Sequence, residues 1–388
     1  MMGTDTEGAP GRGGPLAGVR VLELGGIGPG PFCGMVLADM GADVIRVERP
    51  GDRGALAMPV LLRGRRSVAL DLKDPVAARA VRSIAERCDA LIEGFRPGVT
   101  ERLGLGPEEL CQANPRLVYA RMTGWGQDGP HAQAPGHDIN YLALSGALHT
   151  FGPADGDPVP PLNLVADFGG GGMLLALGVV SALLRAQRDG RGQVVDASMV
   201  DGTALLLAMT YGFLANGLWT DQRGVNLLDG SGPFYRVYRC RDQRHVAVGC
   251  LEEQFRADLL RVLGLTDDPD FATPDDRKNW PVMNQRLEQI FTSRTRDNWA
   301  ALFEGTQACV TPVLSLNEAA AHPHNLARGT YLAGPTGIVQ PSPAPRFGGT
   351  PSDAPRAAPT PGEHTAEVLA EAGLTSAEIA ALTPEPGR

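Results

Sequence analysis

Between residues 19 and 122, short apolar runs alternate with segments whose apolar positions recur at helical spacing. Residues 19–24 (VRVLEL) read as a buried strand. A glycine-rich stretch, GGIGPGP at 25–31, follows, then a helical pattern at 32–40 (FCGMVLADM). After a turn at Gly41, Ala42 and Asp43, residues 44–47 (VIRV) read as a second strand. Strand, loop, helix and strand make a βαβ unit, whose parallel strands need a right-handed crossover. The alternation continues with strands at 67–72, 90–93 and 117–122 and a helix at 75–87. This half of the chain predicts an open, Rossmann-like α/β sheet.

The pattern then changes. Helices are predicted at 172–188 and 199–218, with a strand at 192–197 (GQVVDA) between them. Residues 235–240 and 245–250 flank the polar turn RDQR and predict a hairpin. Helical spacing returns at 253–263, 280–291 and 295–303. This mixture predicts a smaller α+β domain at 205–325, after a large domain at 15–204. The Pro-, Ala- and Ser-rich stretch 338–361 reads as an extended wrapping segment, followed by a last helix at 365–372.

Composition narrows the class. The 388 residues are 43% hydrophobic and 20% charged, with a net charge of −9. Nucleic acid as the main partner is disfavoured, because phosphate contacts along a duplex need a basic surface. A single phosphorylated ligand on a local basic patch remains compatible. Cys33, Cys88, Cys111, Cys240, Cys250 and Cys309 form no C-x-x-C pair and read as free thiols in a reducing cytoplasm. Residues 1–14 (MMGTDTEGAPGRGG) read as a disordered arm without the plan of a secretion signal. The apolar runs at 173–184 and 204–214 are shorter than the roughly 20 residues of a membrane span, and read as buried helices.

Four groups of residues could carry chemistry. GGIGPGP departs from the dinucleotide fingerprint G-x-G-x-x-G and reads as a tight turn, either beside a ligand cleft or purely structural. Arg46, Arg49, Arg63, Arg65, Arg66, Lys73, Arg96 and Arg102 gather at strand ends and in the loops that follow, where converging cations suit phosphate. Asp167, in NLVADFGGGG, precedes four glycines and a long apolar helix. It is either a helix cap or a reactive carboxylate, with the amides near Gly169 and Gly170 as an oxyanion region. His137, in PGHDINY, is either a structural histidine or an acid/base group. Glu252, in GCLEEQF, follows a predicted strand and is placed to tune another carboxylate. His322 and His324 form a His-x-His pair with no obvious third ligand, so no metal is expected.

The ordered motifs GVRVLELGGIGPGPFCGMVLADMGADVIRVERPG, LIEGFRPGVTERLGLGPEEL, NPRLVYARMTGWGQDGP, GHDINYLALSG, PLNLVADFGGGG, GQVVDASMVDG and ACVTPVL closely resemble α-methylacyl-CoA racemases of the family III CoA-transferase (CaiB/BaiF) superfamily. The resemblance spans residues 15–349. It implies a large α/β domain built from both chain ends, with 326–388 returning to complete it, a smaller domain between them, and an interlocked homodimer. It implies an acyl-CoA substrate and no separate cofactor. The reaction would interconvert (2R)- and (2S)-2-methylacyl-CoA by 1,1-proton transfer through an enolate. His137 and Asp167 would be the two acid/base groups and Glu252 an acid at the site. Ile27, Arg49, Leu70, Asp71, Leu72, Lys73, Arg96 and Arg102 would hold the CoA. Gly136, Asp138, Ile139, Asn140 and Tyr141 would line the thioester. The family's I-E-P-Q-F reads L-E-E-Q-F here, so Glu253 replaces a proline beside Glu252.

Three alternatives stay open. A CoA-transferase would use Asp167 as a nucleophile. A nicotinamide-dependent oxidoreductase would use Glu48 on the ribose. The third is a non-catalytic acyl-CoA binder.

Overall fold

A computed structural model describes residues 13–51, 58–334 and 336–383. Of the expected N-terminal arm, 1–12 lie outside the described residues. The chain divides into two compact units. The first takes the chain up to Ser145, then Leu162–Leu206 and Arg328–Arg388; the second takes Gly146–Pro161 and Leu207–Ala327.

The first unit is built on six parallel strands: β1 (Arg20–Leu24), β2 (Asp43–Glu48), β3 (Arg65–Ala69), β4 (Ala90–Glu93), β5 (Val118–Thr123) and β6 (Val194–Ser198). Their order is β3-β2-β1-β4-β5-β6. Chain direction across the sheet reverses between β1 and β4, which opens a crevice beyond their carboxyl ends. On one face, Leu22, Ile45, Val68, Leu91 and Tyr119 pack with Val81 and Ile84 of the Pro75–Ala85 helix. Val368 and Leu369 of the Thr365–Glu371 helix join the same core. The chain end therefore completes the core that its beginning starts.

β3 starts earlier than its apolar pattern suggests, because two arginines enter it as paired charges. Glu23 is fully buried in β1 and accepts from Arg46 of β2 and, at 3.1 Å, from Arg65 of β3. Arg46 also donates to the Gly26 carbonyl at 3.0 Å, and Arg65 to the Pro31 carbonyl. Arg63 pairs with Asp39 and donates to the Pro341 carbonyl at 2.7 Å. Arg66 pairs with Asp43, Glu367 and Glu371. Arg46, Arg63, Arg65 and Arg66 are thus structural, a correction to their reading as ligand cations.

Two apolar runs also differ from expectation. Leu164–Met173 forms a π-helix that continues into the Leu174–Asp189 α-helix. Together they make a 26-residue helix long and apolar enough, by length and composition, to cross a membrane. One face of it, including Leu175, Val179 and Leu183, is buried. The run 204–214 does not form a buried helix. It breaks at Leu207, between the Met199–Leu206 and Ala208–Ala215 helices, and Leu206, Met209, Tyr211 and Leu214 are exposed. Nothing in the same chain covers them among the described residues.

The second unit has an antiparallel sheet of β7 (Tyr235–Arg239), β8 (His245–Gly249) and β9 (Val310–Pro312). The Glu253–Leu263, Trp280–Phe291 and Arg296–Phe303 helices accompany it. Tyr238 stacks on Phe291 at 5.0 Å, and Trp299 meets Phe291 edge-on.

Glu23→Ala leaves two guanidinium groups buried without their shared carboxylate. Removing one partner of a buried ion pair costs about 3–5 kcal/mol. Urea unfolding should show a loss of that size.

Candidate active site

Two cavities, each of 510 Å³, open beyond the carboxyl ends of the first unit's strands. The first borders the ends of β1, β4 and β5; the second borders the ends of β1, β2, β3 and β4. Gly26, Ile27, Phe95 and Arg96 belong to both linings, so the cavities adjoin at the topological switch point.

His137, Tyr141 and Asp167 line the first cavity, with Phe168 and Met199 among its apolar walls. His137 caps the start of the Asp138–Leu144 helix, and its backbone N–H donates to Asn140 Oδ1 at 3.0 Å. Asp167 lies in the first turn of the π-helix, half-buried, and accepts from Asn163 Nδ2 at 3.2 Å. Burial pushes its carboxyl above the ordinary aspartate range. The Asn163 donor opposes this, the Asp138 charge adds to it, and His137 is near enough to oppose it. Burial and then the Asp167 charge push the Tyr141 phenol up, against the pull of Arg96. The Tyr141 ring packs edge-on to Trp125 at 4.8 Å. A methyl at Gly124 would come within 2.2 Å of that ring, so this glycine is a packing requirement.

The glycine-rich loop does not form a pyrophosphate cradle. The Pro29–Asp39 helix begins Pro-Gly-Pro, so two of its first three residues lack an N–H. Its role is proximity: Gly28, at φ 67° and ψ −118°, adopts a backbone conformation suited to glycine. A methyl there would stand 3.3 Å from Asp167 Oδ2.

The four glycines after Asp167 serve packing, a correction to the oxyanion reading. Gly169 and Gly170 lie inside the π-helix and do not line the cavity. A methyl at Gly170 would meet Thr203 N at 2.7 Å, and one at Gly172 would meet Pro29 O at 2.7 Å. Their small size lets the helix approach its neighbours, and their amides belong to its ladder.

Of the expected thioester-lining stretch, Gly136 and Tyr141 line the cavity, but Asp138, Ile139 and Asn140 do not. Asp138 points into the protein. It is 6% exposed, and its Oδ2 accepts from Ala166 N at 3.0 Å and Asp167 N at 2.8 Å.

The second cavity is lined by Ile27, Arg49, Leu70, Asp71, Leu72 and Lys73 among others. Arg49, Lys73 and Arg96 are exposed and make no ion pair among the described residues. Arg102 is not in the lining, although Val99 and Leu103 beside it are. Glu93 accepts from Phe95 N at 2.8 Å and from Arg121 at 2.8 Å, which fixes the loop that carries Arg96. Glu48 is occupied by Ser67 and by Arg46 at 3.3 Å, which argues against a ribose-binding role.

Glu252 belongs to the second unit and is exposed. It caps the Glu253–Leu263 helix. Glu253 takes the first helical position, where either a proline or an acid is accommodated. The departure from the family pattern therefore leaves a helix start intact. No cluster of three or more His, Cys, Asp or Glu side chains fit for a metal occurs among the described residues. Sequence reading missed Asn163, whose spacing four residues before Asp167 was the available signal.

Gly28→Ala forces an unfavourable backbone conformation and crowds Asp167. Such strain costs on the order of 1–3 kcal/mol; thermal or urea unfolding should register it.

A family model described as CoA-transferase family III matches residues 16–365. The mouse α-methylacyl-CoA racemase is 48% identical over 368 residues, covering 95% of this chain and 96% of that one. The mouse succinyl-CoA:glutarate CoA-transferase is 31% identical, covering 92% of this chain and 86% of that one. A solved CaiB/BaiF family protein from Brucella suis superposes with a TM-score of 0.81 at 27% identity, covering 93% of this chain and all of that one. The chain belongs to CoA-transferase family III.

Proposed function

We propose that this chain is an α-methylacyl-CoA racemase that interconverts (2R)- and (2S)-2-methylacyl-CoA thioesters through an enolate. The observation that carries this reading is the meeting of His137 and Asp167 in one cavity, beside a second cavity with unpaired cations. The level of identity to the mouse racemase supports it.

An α-proton next to a thioester is weakly acidic, and inversion needs one group to take it and another to return one on the opposite face. An imidazole exchanges its proton in the neutral range. A carboxyl does so only when its environment favours the neutral form, which burial and the Asp138 charge provide for Asp167. Each group serves as base in one direction and as acid in the other. Arg49, Lys73 and Arg96 are assigned to the phosphates of CoA, and the apolar wall around Phe168 and Met199 to the acyl chain. Coenzyme A enters as part of the substrate, and no further cofactor is assigned. The exposed Met209, Tyr211 and Leu214 on one helix support a homodimer, because clustered apolar surface marks association.

Incubation with a single 2-methylacyl-CoA enantiomer in deuterated buffer should give α-deuterium together with inversion. His137→Ala and Asp167→Ala should abolish inversion. CoA transfer to an added acid, without deuterium uptake, would replace this reading by the transferase one, with Asp167 as nucleophile.

Asn163→Ala removes a donor that favours the ionised Asp167 carboxylate. The Asp167 pKa should rise, so the limbs of the kcat/KM profile that report it should move to higher pH.

A further inference from the structure

We propose that Asp138 is a positioning residue that holds the two proton-transfer groups in register and biases Asp167 toward its protonated form. This rests on the racemase reading above.

The geometry is specific. Asp138 follows His137 directly and begins the helix that His137 caps. Its side chain turns away from the cavity and is buried. There one oxygen accepts two backbone N–H groups, those of Ala166 and Asp167. A single carboxylate thus joins the chain at 137–138 to the chain at 166–167. Those two hydrogen bonds tie the helix start that carries His137 to the turn that carries Asp167.

The charge has a second effect. Among the described residues, Asp138 Oδ1 is buried without a hydrogen-bond partner. A residue that served only to accept two N–H bonds would not need a negative charge. The Asp167 carboxyl feels that charge. The groups acting on Asp167 are Asp138, which favours protonation, and Asn163 and His137, which oppose it. Tyr141 stands close enough for its phenol to respond to the Asp167 charge, and Gly28 closes the remaining side with backbone alone.

Two variants separate these effects. Asp138→Asn keeps the size and one acceptor oxygen but removes the charge. Its Asp167-dependent limbs should move to lower pH, opposite in sign to Asn163→Ala, with KM for the thioester little changed. Asp138→Ala removes the fastening, and kcat should fall on the order of 100-fold in both directions, as for a misplacement of about 1 Å. Hydrogen exchange of a peptide spanning 164–168 should rise in Asp138→Ala whether or not substrate turns over. If Asp138→Ala does not fold, Asp138→Asn carries the test through its pH profile.

Wild-type pH limbs in Asp138→Asn, or unchanged kcat and unchanged exchange at 164–168 in Asp138→Ala, would overturn the proposal. Absence of α-proton exchange in the unmodified protein would instead overturn the racemase reading; the catalytic role of Asp138 would fall with it, while the exchange data would still report the fastening.

Discussion

The site depends on a carboxylate that never meets substrate. Glu23, buried in β1, answers the charges of Arg46 and Arg65 from the next two strands. Those arginines in turn hold the carbonyls of Gly26 and Pro31 at either end of the loop that contains Gly28. That loop lies against the Asp167 carboxylate. An ion network of this kind contributes little net stability over a well-packed apolar substitute. Its value here is geometric, because apolar side chains could not grip two backbone carbonyls.

The same economy of position divides the cations. Arg46, Arg65 and Arg66, inside strands, are consumed by carboxylates, whereas Arg49, Lys73 and Arg96, past strand ends, make no ion pair among the described residues. A proline-started helix after β1 withholds most of the amides that a dinucleotide fold would turn toward phosphate.

The sequence made the local elements legible and their long-range relations much less so. The strands VRVLEL and VIRV were readable from composition and flanking turns, and motif resemblance singled out His137 and Asp167, which line one cavity. Strand order was not readable, because pairing β4 against β1 is a contact between residues far apart in the chain. Nor could Arg65 be told from Arg96: both are basic residues near a strand, and only burial beside Glu23 distinguishes them. The glycines after Asp167 carried a true signal of close approach but not of what approached, which proved to be the Met199–Leu206 helix and Pro29. The resemblance of the GHDINY stretch placed Asp138 beside the thioester, yet its side chain is buried and does not line the cavity. A helix start turns consecutive residues through about 100° each, so adjacency to His137 said little about shared orientation.

The return of the chain end to the sheet has a consequence for synthesis. Gly362 donates to Ser67 Oγ at 2.7 Å, and Thr365 Oγ1 accepts from Ala69 N at 3.0 Å, so β3, an outer strand, receives its cover from residues near the chain's end. While the ribosome is still adding the intervening residues, β3 carries an uncovered edge of the sort that recruits foreign strands. Arg66 within β3 is then doubly suited to its place: before its late partners Glu367 and Glu371 emerge, its charge makes that edge a poor template for aggregation.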